Sequence, residues 1–545
     1  MSSSCLVLLL HFLLLLEFSS LSHGASPSVY ESFVKCLTTK SIPQSDISKI
    51  VYSANNPSFN PILQAYIRNR RFVNSSTTSK PVIIVTPTQE SHVSGAVLCT
   101  KEANLQLKIR SGGHDYEGIS YISNVPFIML DMFNLRSISV NVTDETAWVE
   151  AGATLGELYY NIWTKSNVLG FPAGVCPTVG VGGHLSGGGY GNMLRKFGLS
   201  VDHVLDARLV DANGRILDRK AMGEDMFWAI KGGGGASFGV ILAFRIQLVQ
   251  VPQTVTYFRV ERFIVQNATD AVVQWQNVAS KIDNSLYMRL LIQPITVKDK
   301  NKAKGAKSSK TIRATFIALF LGDSSRLMSL VSKEFPALGL KKQDCLEMSW
   351  IDSVLQWANF DNTTKADVLL NRTGDPLNFL KRKSDYVQVP IPRDRLESIS
   401  QKMISLGKVG LVFNPYGGRM AEIPEDKTPF PHRAGILFKI QYSVNWNDGG
   451  VAAEKDYLSQ IRDLYSFMTP YVSKNPRQAY LNYRDLDIGT NDHVSHSLEE
   501  GRVYGTKYFK NNFDRLVKVK SIVDPRNFFR NEQSIPTQWK RRKMF

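Results

Sequence analysis

The stretch that decides the fold is GVCPTVGVGGHLSGGGYG, residues 174–191, in which eight of eighteen residues are glycine. Glycine lacks a Cβ atom, so such a run lets the backbone turn sharply or approach another group closely. The P-loop string GxxxxGK[ST] does not occur, and the dinucleotide fingerprint GxGxxG fails because its sixth position is Leu185, Asn192 or Ser237 in the three candidate frames. The glycines alone leave two interpretations open, structural turns and a phosphate cradle made of backbone amides.

Around this stretch, residues 81–250 alternate short apolar segments with glycine clusters. PVIIVTP, LQLKIRSGGH and FIMLDM are typical of strands that end in turns or lead into helices. From about residue 253 to 474 glycine becomes rarer. Longer segments such as TIRATFIALFLG and AGILFKIQYSVNW there indicate sheet, and RLESISQKMISLGK has a helical pattern. The sequence therefore predicts an α+β fold whose organisation changes near residues 252 and 475.

Specific strings then indicate a family. RSGGHDYEG, residues 110–118, is followed about sixty residues later by CPTVG, residues 176–180. These strings, with FPHRAG, LNYRDLD and NFFRNEQSIP further on, resemble the berberine bridge enzyme-like family of plant flavoproteins, which are FAD enzymes of the vanillyl-alcohol oxidase type. The resemblance runs from about Cys36 to Pro536. It implies a two-part FAD-binding domain of the PCMH type, residues 25–252 and 477–545, and a substrate-binding domain, residues 253–476, with an antiparallel sheet covered by helices.

The resemblance also implies FAD attached at two points, with His114 bonded to the flavin 8α-methyl carbon and Cys176 to ring carbon 6. An imidazole and a thiolate are nucleophilic enough to add to an electron-poor ring. For His114 taken alone, a turn histidine that only forms hydrogen bonds is the alternative. The other positions implied around the cofactor are Arg110, Ser111, Gly112, Gly113, Val179, Gly180, Gly182, Gly183, Gly187 and Asn527.

On the substrate side, the resemblance implies a tyrosine base with a lysine and polar neighbours, at Tyr116, Tyr190, Asn414, Lys439, Gln441 and Tyr483. A phenol is a weak base near neutral pH, but a neighbouring ammonium favours the phenolate and lowers the pKa. We therefore expect Lys439 to activate Tyr116 or Tyr483. The alternative is that Lys439 is a solvated strand residue and that the tyrosines only pack.

Position 439 also separates functions within the family, because the members that cyclise alkaloids and cannabinoids carry glutamate there. Lysine favours alcohol oxidation by hydride transfer to flavin N5, with a p-hydroxycinnamyl alcohol or an oligosaccharide hydroxyl as the substrate. Val179 occupies the family position where a smaller side chain leaves room for O2, which predicts an oxidase that makes H2O2. Two alternatives stay open: an oxidative cyclase or FAD-containing cycloaddition enzyme, and an inactive binding or storage protein.

The N-terminus predicts the secretory route. Residues 6–16 form an apolar run interrupted only by His11, too short to span a bilayer and followed by small residues, as in a signal peptide ending near residue 24. No later segment has the length and apolar character of a membrane helix. We expect a soluble protein secreted to the cell wall, with the vacuole as the alternative. Five glycosylation sequons agree with this route: Asn74, Asn141, Asn267, Asn362 and Asn371.

The cysteines are too few for a disulfide scaffold. Of the five, Cys5 leaves with the signal peptide. The resemblance pairs Cys36 with Cys99, and Cys345 is then expected to be a free, buried thiol. No CxxC pair suggests zinc, and we expect no metal.

The formal net charge of +17 first suggests nucleic acid, an anionic polysaccharide or a membrane surface as the partner. Much of this charge lies in two segments, residues 298–310, with six lysines and one aspartate, and residues 540–543, KRRK. Neither has the interleaved aromatic residues of a nucleic-acid surface, so we expect no nucleic acid. Weak association with an anionic wall polysaccharide is the remaining expectation, for a monomer whose other partners are an alcohol substrate and O2.

Overall fold

A computed structural model of the chain describes residues 28–73, 79–234, 236–297, 309–373, 377–492 and 497–538. The predicted signal peptide, the Asn74 sequon, most of the lysine-rich segment and the basic stretch at 540–543 lie outside the described residues. Within the described ranges, no helix is both long enough and apolar enough to cross a membrane. The four sequon asparagines inside them, Asn141, Asn267, Asn362 and Asn371, have exposed side chains.

The N-terminal region alternates short strands with helices. Its strands are β1 Val51–Ser53, β2 Ile83–Val85, β3 Gln106–Arg110, β4 Phe127–Asp131, β5 Ile138–Asn141, β6 Thr146–Glu150, β7 Leu169–Gly170, β8 Val204–Val210, β9 Ile216–Leu217, β10 Val240–Gln247 and β11 Val249–Gln250. Its helices are α1 Val29–Thr39, α2 Gln44–Ile50, α3 Phe59–Ala65, α4 Glu90–Glu102, α5 Leu155–Trp163, α6 Val181–Ser186, α7 Leu194–Phe197 and α8 Arg219–Ile230.

These strands form three sheets. The first has the order β1-β2-β4-β3, in which β4 pairs in parallel with both β2 and β3. The second has the order β5-β6-β10-β8-β9 and is antiparallel, and β7 and β11 form a third, two-stranded sheet. Cys36 in α1 and Cys99 in α4 are joined by a disulfide, which confirms the expected pairing.

The central region carries the longer elements. Its strands are β12 Val255–Phe263, β13 Leu286–Val297, β14 Ser309–Phe320, β15 Cys345–Met348, β16 Phe379–Val387, β17 Gly410–Pro415 and β18 Phe438–Trp446. They form one antiparallel sheet in the order β15-β12-β14-β13-β17-β18-β16. The helices of the region are α9 Ala268–Val278, α10 Ser324–Glu334, α11 Trp350–Trp357, α12 Arg393–Leu406, α13 Arg419–Glu422 and α14 Val451–Phe467.

Periodicity explains how this sheet is covered on both faces. In β14, Phe316 packs into a core with the helices, whereas its neighbours Ile317 and Leu319 belong to the core shared with the N-terminal region. A strand that is buried on both faces has a nearly continuous apolar sequence, as TIRATFIALFLG does.

In α12, residues at helical spacing on one face are buried, and Gly407 ends the helix with a φ of +95°. The fold is α+β, as the sequence predicts.

The last part of the chain returns to the N-terminal region. Helices α15 Leu498–Phe509 and α16 Asn512–Val523 contribute Tyr504, Phe513 and Leu516 to the larger core. Two 3-10 turns, Leu481–Tyr483 and Leu486–Ile488, precede these helices and lie between the N-terminal region and the sheet. This path brings the LNYRDLD string next to the RSGGHDYEG string.

Candidate active site

A cavity of about 350 Å³ is lined by the glycine-rich loops, the inner face of the central sheet and the C-terminal segment. Its wall contains residues from Leu107 to Asn531, but the central region contributes only Arg289 and Gln441 to the lining among the described residues. Thirteen of the predicted site residues lie in this wall: Ser111, Gly112, Gly113, His114, Tyr116, Cys176, Val179, Gly180, Gly182, Gly183, Tyr190, Gln441 and Tyr483.

Two glycine-containing loops meet at one end of the cavity. Strand β3 ends at Arg110, and the following turn contains Gly113 with a φ of +70°, a conformation that favours glycine. A Cβ atom on Gly112 would overlap the amide nitrogen of Gly180. Only residues without a side chain allow this contact, which explains why both strings are rich in glycine.

His114 and Cys176 reach the cavity from these two loops. His114 Nε2 lies 2.9 Å from Thr178 Oγ1, and the Cys176 side chain is exposed to the cavity. Burial lowers the pKa of His114 to about 3, and the positive charge of Arg68 acts in the same direction. The imidazole is therefore neutral at physiological pH and keeps a lone pair for bonding.

The chemistry of this wall fits FAD. Within the described part of the chain, the backbone amides of Gly112, Gly113 and His114 have no hydrogen-bond acceptor. Gly183 also lies in the wall, and a Cβ atom there would meet nothing within 4 Å. Unused amides and open space suit pyrophosphate oxygens, while a neutral imidazole and a thiol in the same wall suit an electrophilic ring.

A group of phenols lines another part of the cavity. The hydroxyls of Tyr190 and Tyr483 are in direct hydrogen-bond contact, and the rings of Tyr116 and Tyr483 have centroids 5.7 Å apart. Gln441 Nε2 donates to Tyr116 Oη at 3.1 Å. Burial raises the pKa of Tyr483 well above its usual value, and Tyr190 and Tyr116 add to the effect. Burial also raises the pKa of Tyr116.

Lys439 lies one layer behind these phenols, among their rings. Its side chain is fully buried, and Nζ lies 3.3, 3.9 and 4.3 Å from the ring centroids of Tyr190, Tyr480 and Tyr483. Among the described residues, Nζ has no hydrogen-bond partner. Burial lowers the pKa of Lys439 well below 10.5, and repulsion from Arg289 lowers it further. Burial therefore disfavours the ammonium form, whereas the three ring faces around Nζ favour a cation. Activation of Tyr116 or Tyr483 by Lys439 stays a prediction.

Arg289 supplies positive charge to the phenols, and it was not among the residues predicted from the sequence. Its side chain lines the cavity, and Nε donates to Asn414 Oδ1 at 2.9 Å. The same oxygen accepts a hydrogen bond from Tyr287 Oη at 2.8 Å, so Asn414 orients Arg289 from behind the wall. Arg289 acts to lower the pKa of both Tyr190 and Tyr483. An arginine within the apolar segment LYMRLLIQPI was the signal that could have revealed it.

Three predicted cofactor residues lie outside the cavity wall. Arg110 is fully buried and binds Asp131 and the backbone carbonyls of α3. A side chain on Gly187 would overlap Asn482, so this glycine makes room for the C-terminal segment. Asn527 is half-buried, whereas Arg530 and Asn531 from the same string reach the wall.

The remaining cysteine and the acidic side chains do not form a second site. Cys345 lies outside the disulfide as expected, but it is half-buried at the start of β15 rather than buried. Among the described residues, no three histidine, cysteine or acidic side chains are grouped as ligands for one metal ion.

Comparison with known proteins agrees with this geometry. A family model described as "FAD binding domain" matches residues 81–219, and one described as "Berberine and berberine like" matches residues 479–536. Berberine bridge enzyme-like 21 of Arabidopsis thaliana is 61% identical over 95% of this chain and 95% of its own length. Berberine bridge enzyme-like 2 of the same plant is 57% identical over 98% of both chains.

Solved structures extend the agreement to three dimensions. A valine-for-isoleucine variant of the grass pollen allergen Phl p 4, described as a glucose oxidase, superposes with a TM-score of 0.86 and is 44% identical, covering 94% of this chain and 100% of its own. An alanine-for-glycine variant of berberine bridge enzyme, described as a reticuline dehydrogenase, superposes with a TM-score of 0.86 and is 39% identical. The match covers 93% of this chain and 99% of the variant. The chain therefore belongs to the berberine bridge enzyme-like family of FAD-linked oxidoreductases.

Proposed function

We propose that this protein is a secreted FAD-dependent oxidase that oxidises an alcohol, either a p-hydroxycinnamyl alcohol or a hydroxyl of an oligosaccharide, and releases H2O2. The observation that carries the proposal is the contact between the hydroxyls of Tyr190 and Tyr483 in the same cavity wall that presents His114 and Cys176. A proton acceptor and a redox cofactor are the two components that alcohol oxidation requires.

Tyr483 takes the proton of the substrate hydroxyl. Before it accepts this proton, Tyr483 is a phenolate whose oxygen contacts the Tyr190 hydroxyl, so the two oxygens share the negative charge. Arg289 stabilises this charge, because its guanidinium acts to lower the pKa of both phenols. Gln441 donates to the Tyr116 oxygen, which leaves the Tyr116 O–H free to hold the substrate oxygen.

His114 and Cys176 would hold FAD covalently in this proposal. Nε2 of His114 forms a hydrogen bond with Thr178 Oγ1, so Nδ1 is the ring nitrogen available to bond to the flavin. The thiol of Cys176 forms the second attachment from the neighbouring loop. When bound, FAD supplies the hydride acceptor at N5 and passes the electrons to O2.

Reaction with O2, rather than another acceptor, is proposed from Val179. This valine lies in the cavity wall, where a longer side chain would reduce the space next to the cofactor. Phl p 4 is described as a glucose dehydrogenase, and its valine-for-isoleucine variant as a glucose oxidase. These descriptions support a carbohydrate hydroxyl as one candidate substrate and a role for valine in the use of O2.

The secretory route remains part of the proposal. The apolar N-terminal run and four exposed sequon asparagines support it, since glycan attachment requires an accessible side chain.

The test is a substrate panel with peroxide readout on the purified holoprotein, using coniferyl alcohol and cellooligosaccharides. We expect anaerobic bleaching of the flavin and stoichiometric H2O2 when O2 is admitted. Tyr483→Phe should slow the bleaching about 10²–10⁴-fold, the usual contribution of a general base. Unchanged bleaching in Tyr483→Phe would remove this residue from the mechanism, and no bleaching by any alcohol in the panel would reject the proposed function.

A further inference from the structure

A group of charges, buried except for the aspartate at its edge, joins three segments that are distant in the sequence. We call it the Lys381 cluster, and it consists of Glu117, Lys381, Lys383, Asp485 and Asp487. Glu117 follows the glycine-rich loop after β3, the two lysines come from the edge strand β16, and the two aspartates belong to the C-terminal segment. The established family activity assigns no task to these residues.

Lys381 is the residue that bridges the segments. Its Nζ forms an ion pair with Glu117 Oε1 and lies 2.8 Å from Asp485 Oδ1. All three side chains are at most 6% exposed. Lys383 Nζ lies 2.6 Å from the second Asp485 oxygen and 2.8 Å from Asp487 Oδ2. Arg462 also pairs with Asp487 Oδ1 at 2.8 Å, so at least three cations face the three carboxylates.

The cluster lies beside the phenols of the site. Tyr116 and Tyr483 are each within two residues of a carboxylate that binds Lys381, and their ring centroids are 5.7 Å apart. In the same two segments, Arg484 Nε donates to Asp115 Oδ2 at 3.0 Å. Ion pairs thus join residues 115–117 to residues 483–485 at two places, through Lys381 and through Arg484.

Stability alone does not account for such a cluster. Buried ion pairs are often no better for stability than apolar residues of the same volume, because each charge loses its hydration. They do fix which segments meet and in which register, since a mismatched pairing would leave a buried charge without a partner. A site assembled from separate segments needs this kind of specification.

We propose that Lys381 is a positioning residue that, by binding Glu117 and Asp485 together, holds Tyr116 and Tyr483 at the separation at which both phenols face one substrate. The inference rests on the proposed function in one respect, the role of the two phenols in oxidising the substrate. The geometry itself can be tested without any substrate.

The experiment follows the ionisation of Tyr116 and Tyr483 by NMR in holoprotein labelled with ¹³C at tyrosine Cζ, with Tyr116→Phe and Tyr483→Phe used for assignment. Lys381→Met should let the two loops separate and admit water to phenols whose pKa is raised by burial. Because hydration reverses the effect of burial, we expect the ionisation midpoints of both phenols to fall. Lys381→Arg keeps both ion pairs and should titrate like the wild type.

Lys520→Met is the matched control. Lys520 is as buried as Lys381 and pairs with Asp524 at 2.7 Å, on α16. The Lys520→Met variant should be less stable than the wild type, but the ionisation midpoints of Tyr116 and Tyr483 should not change. If Lys381→Met does not fold, Glu117→Gln/Lys381→Met removes one charge of each sign and is used instead, with the same shift expected.

Wild-type midpoints in the folded Lys381→Met or double variant would overturn the proposal, as would an equal shift in Lys520→Met. A wild-type protein that oxidises no alcohol would reject the proposed function but would leave the titration result standing. The two failures are therefore distinguishable.

Discussion

The Nε2 atom of His114 lies 2.9 Å from the Oγ1 atom of Thr178, which is two residues beyond Cys176. The loop that carries the thiol therefore also orients the imidazole. Because the Thr178 hydroxyl forms a hydrogen bond with Nε2, Nδ1 is the ring nitrogen that can form the proposed bond to the flavin. The two proposed attachments to FAD are geometrically coupled, and the coupling can be tested separately from catalysis.

Thr178→Val should reduce histidyl attachment of the flavin. We expect a several-fold lower covalently bound fraction in a Cys176→Ala background, because one hydrogen bond is worth about 1 kcal/mol. The measurement compares flavin fluorescence of the denatured protein band with total flavin. Thr178→Ser retains the hydroxyl and should behave like the parent, and equal attachment in the valine and serine variants would contradict the coupling.

Arg289→Met should shift the pH profile of flavin reduction upward. Arg289 acts against burial to lower the pKa of Tyr483, so its loss leaves less phenolate at any given pH. Below that pKa, the reduction rate should fall about tenfold for each unit by which the pKa rises. Anaerobic stopped-flow measurements from pH 6 to 10 provide the profile. Arg289→Lys keeps a positive charge and should shift it less, whereas superimposable profiles would exclude Arg289 from proton transfer.

Lys439→Met should stabilise the folded protein, most strongly at low pH. The pKa of Lys439 is lowered in the folded state, so the unfolded chain binds more protons and folding is disfavoured below pH 10.5. A buried donor without an acceptor costs about 1–3 kcal/mol, so replacing it with an apolar group should gain about as much. Denaturant unfolding at several pH values should show this gain shrinking as the pH approaches 10.5. A gain that is independent of pH would mean that Lys439 carries the same charge in both states.

Val179→Leu should slow reoxidation by O2 without slowing reduction. The larger side chain fills space in the cavity wall. We expect about a tenfold lower rate with O2, equivalent to about 1.4 kcal/mol in the activation free energy. The reoxidation rate is measured by mixing the anaerobically reduced protein with O2 in a stopped-flow instrument. An unchanged rate would show that access of O2 does not depend on this side chain.

Much of the fold could be predicted from periodicity and glycine placement. The apolar run of β14 and the helical spacing in α12 determine their own secondary structure, and the long strings around His114 and Cys176 carry the family pattern. Alternation within β18 also places Lys439 and Gln441 on the same face of the sheet. These features are local, and a single sequence contains them.

The charge states in the site could not be predicted in this way. Whether Lys439 is an ammonium depends on three tyrosine rings that reach it from elsewhere in the chain and exclude both water and any carboxylate. Arg289 matters because Asn414, on another strand, orients it towards the phenols. Burial and partners of this kind are set by tertiary packing, and a strand pattern does not encode them.

The wall of the cavity begins at Leu107 and is completed only at Asn531. During synthesis the N-terminal residues emerge first, and Tyr483 and the last wall residues emerge near the end. A ribosome-bound chain that already contains His114 and Cys176 still lacks the opposite side of the cavity. The cavity can therefore close only in the finished molecule.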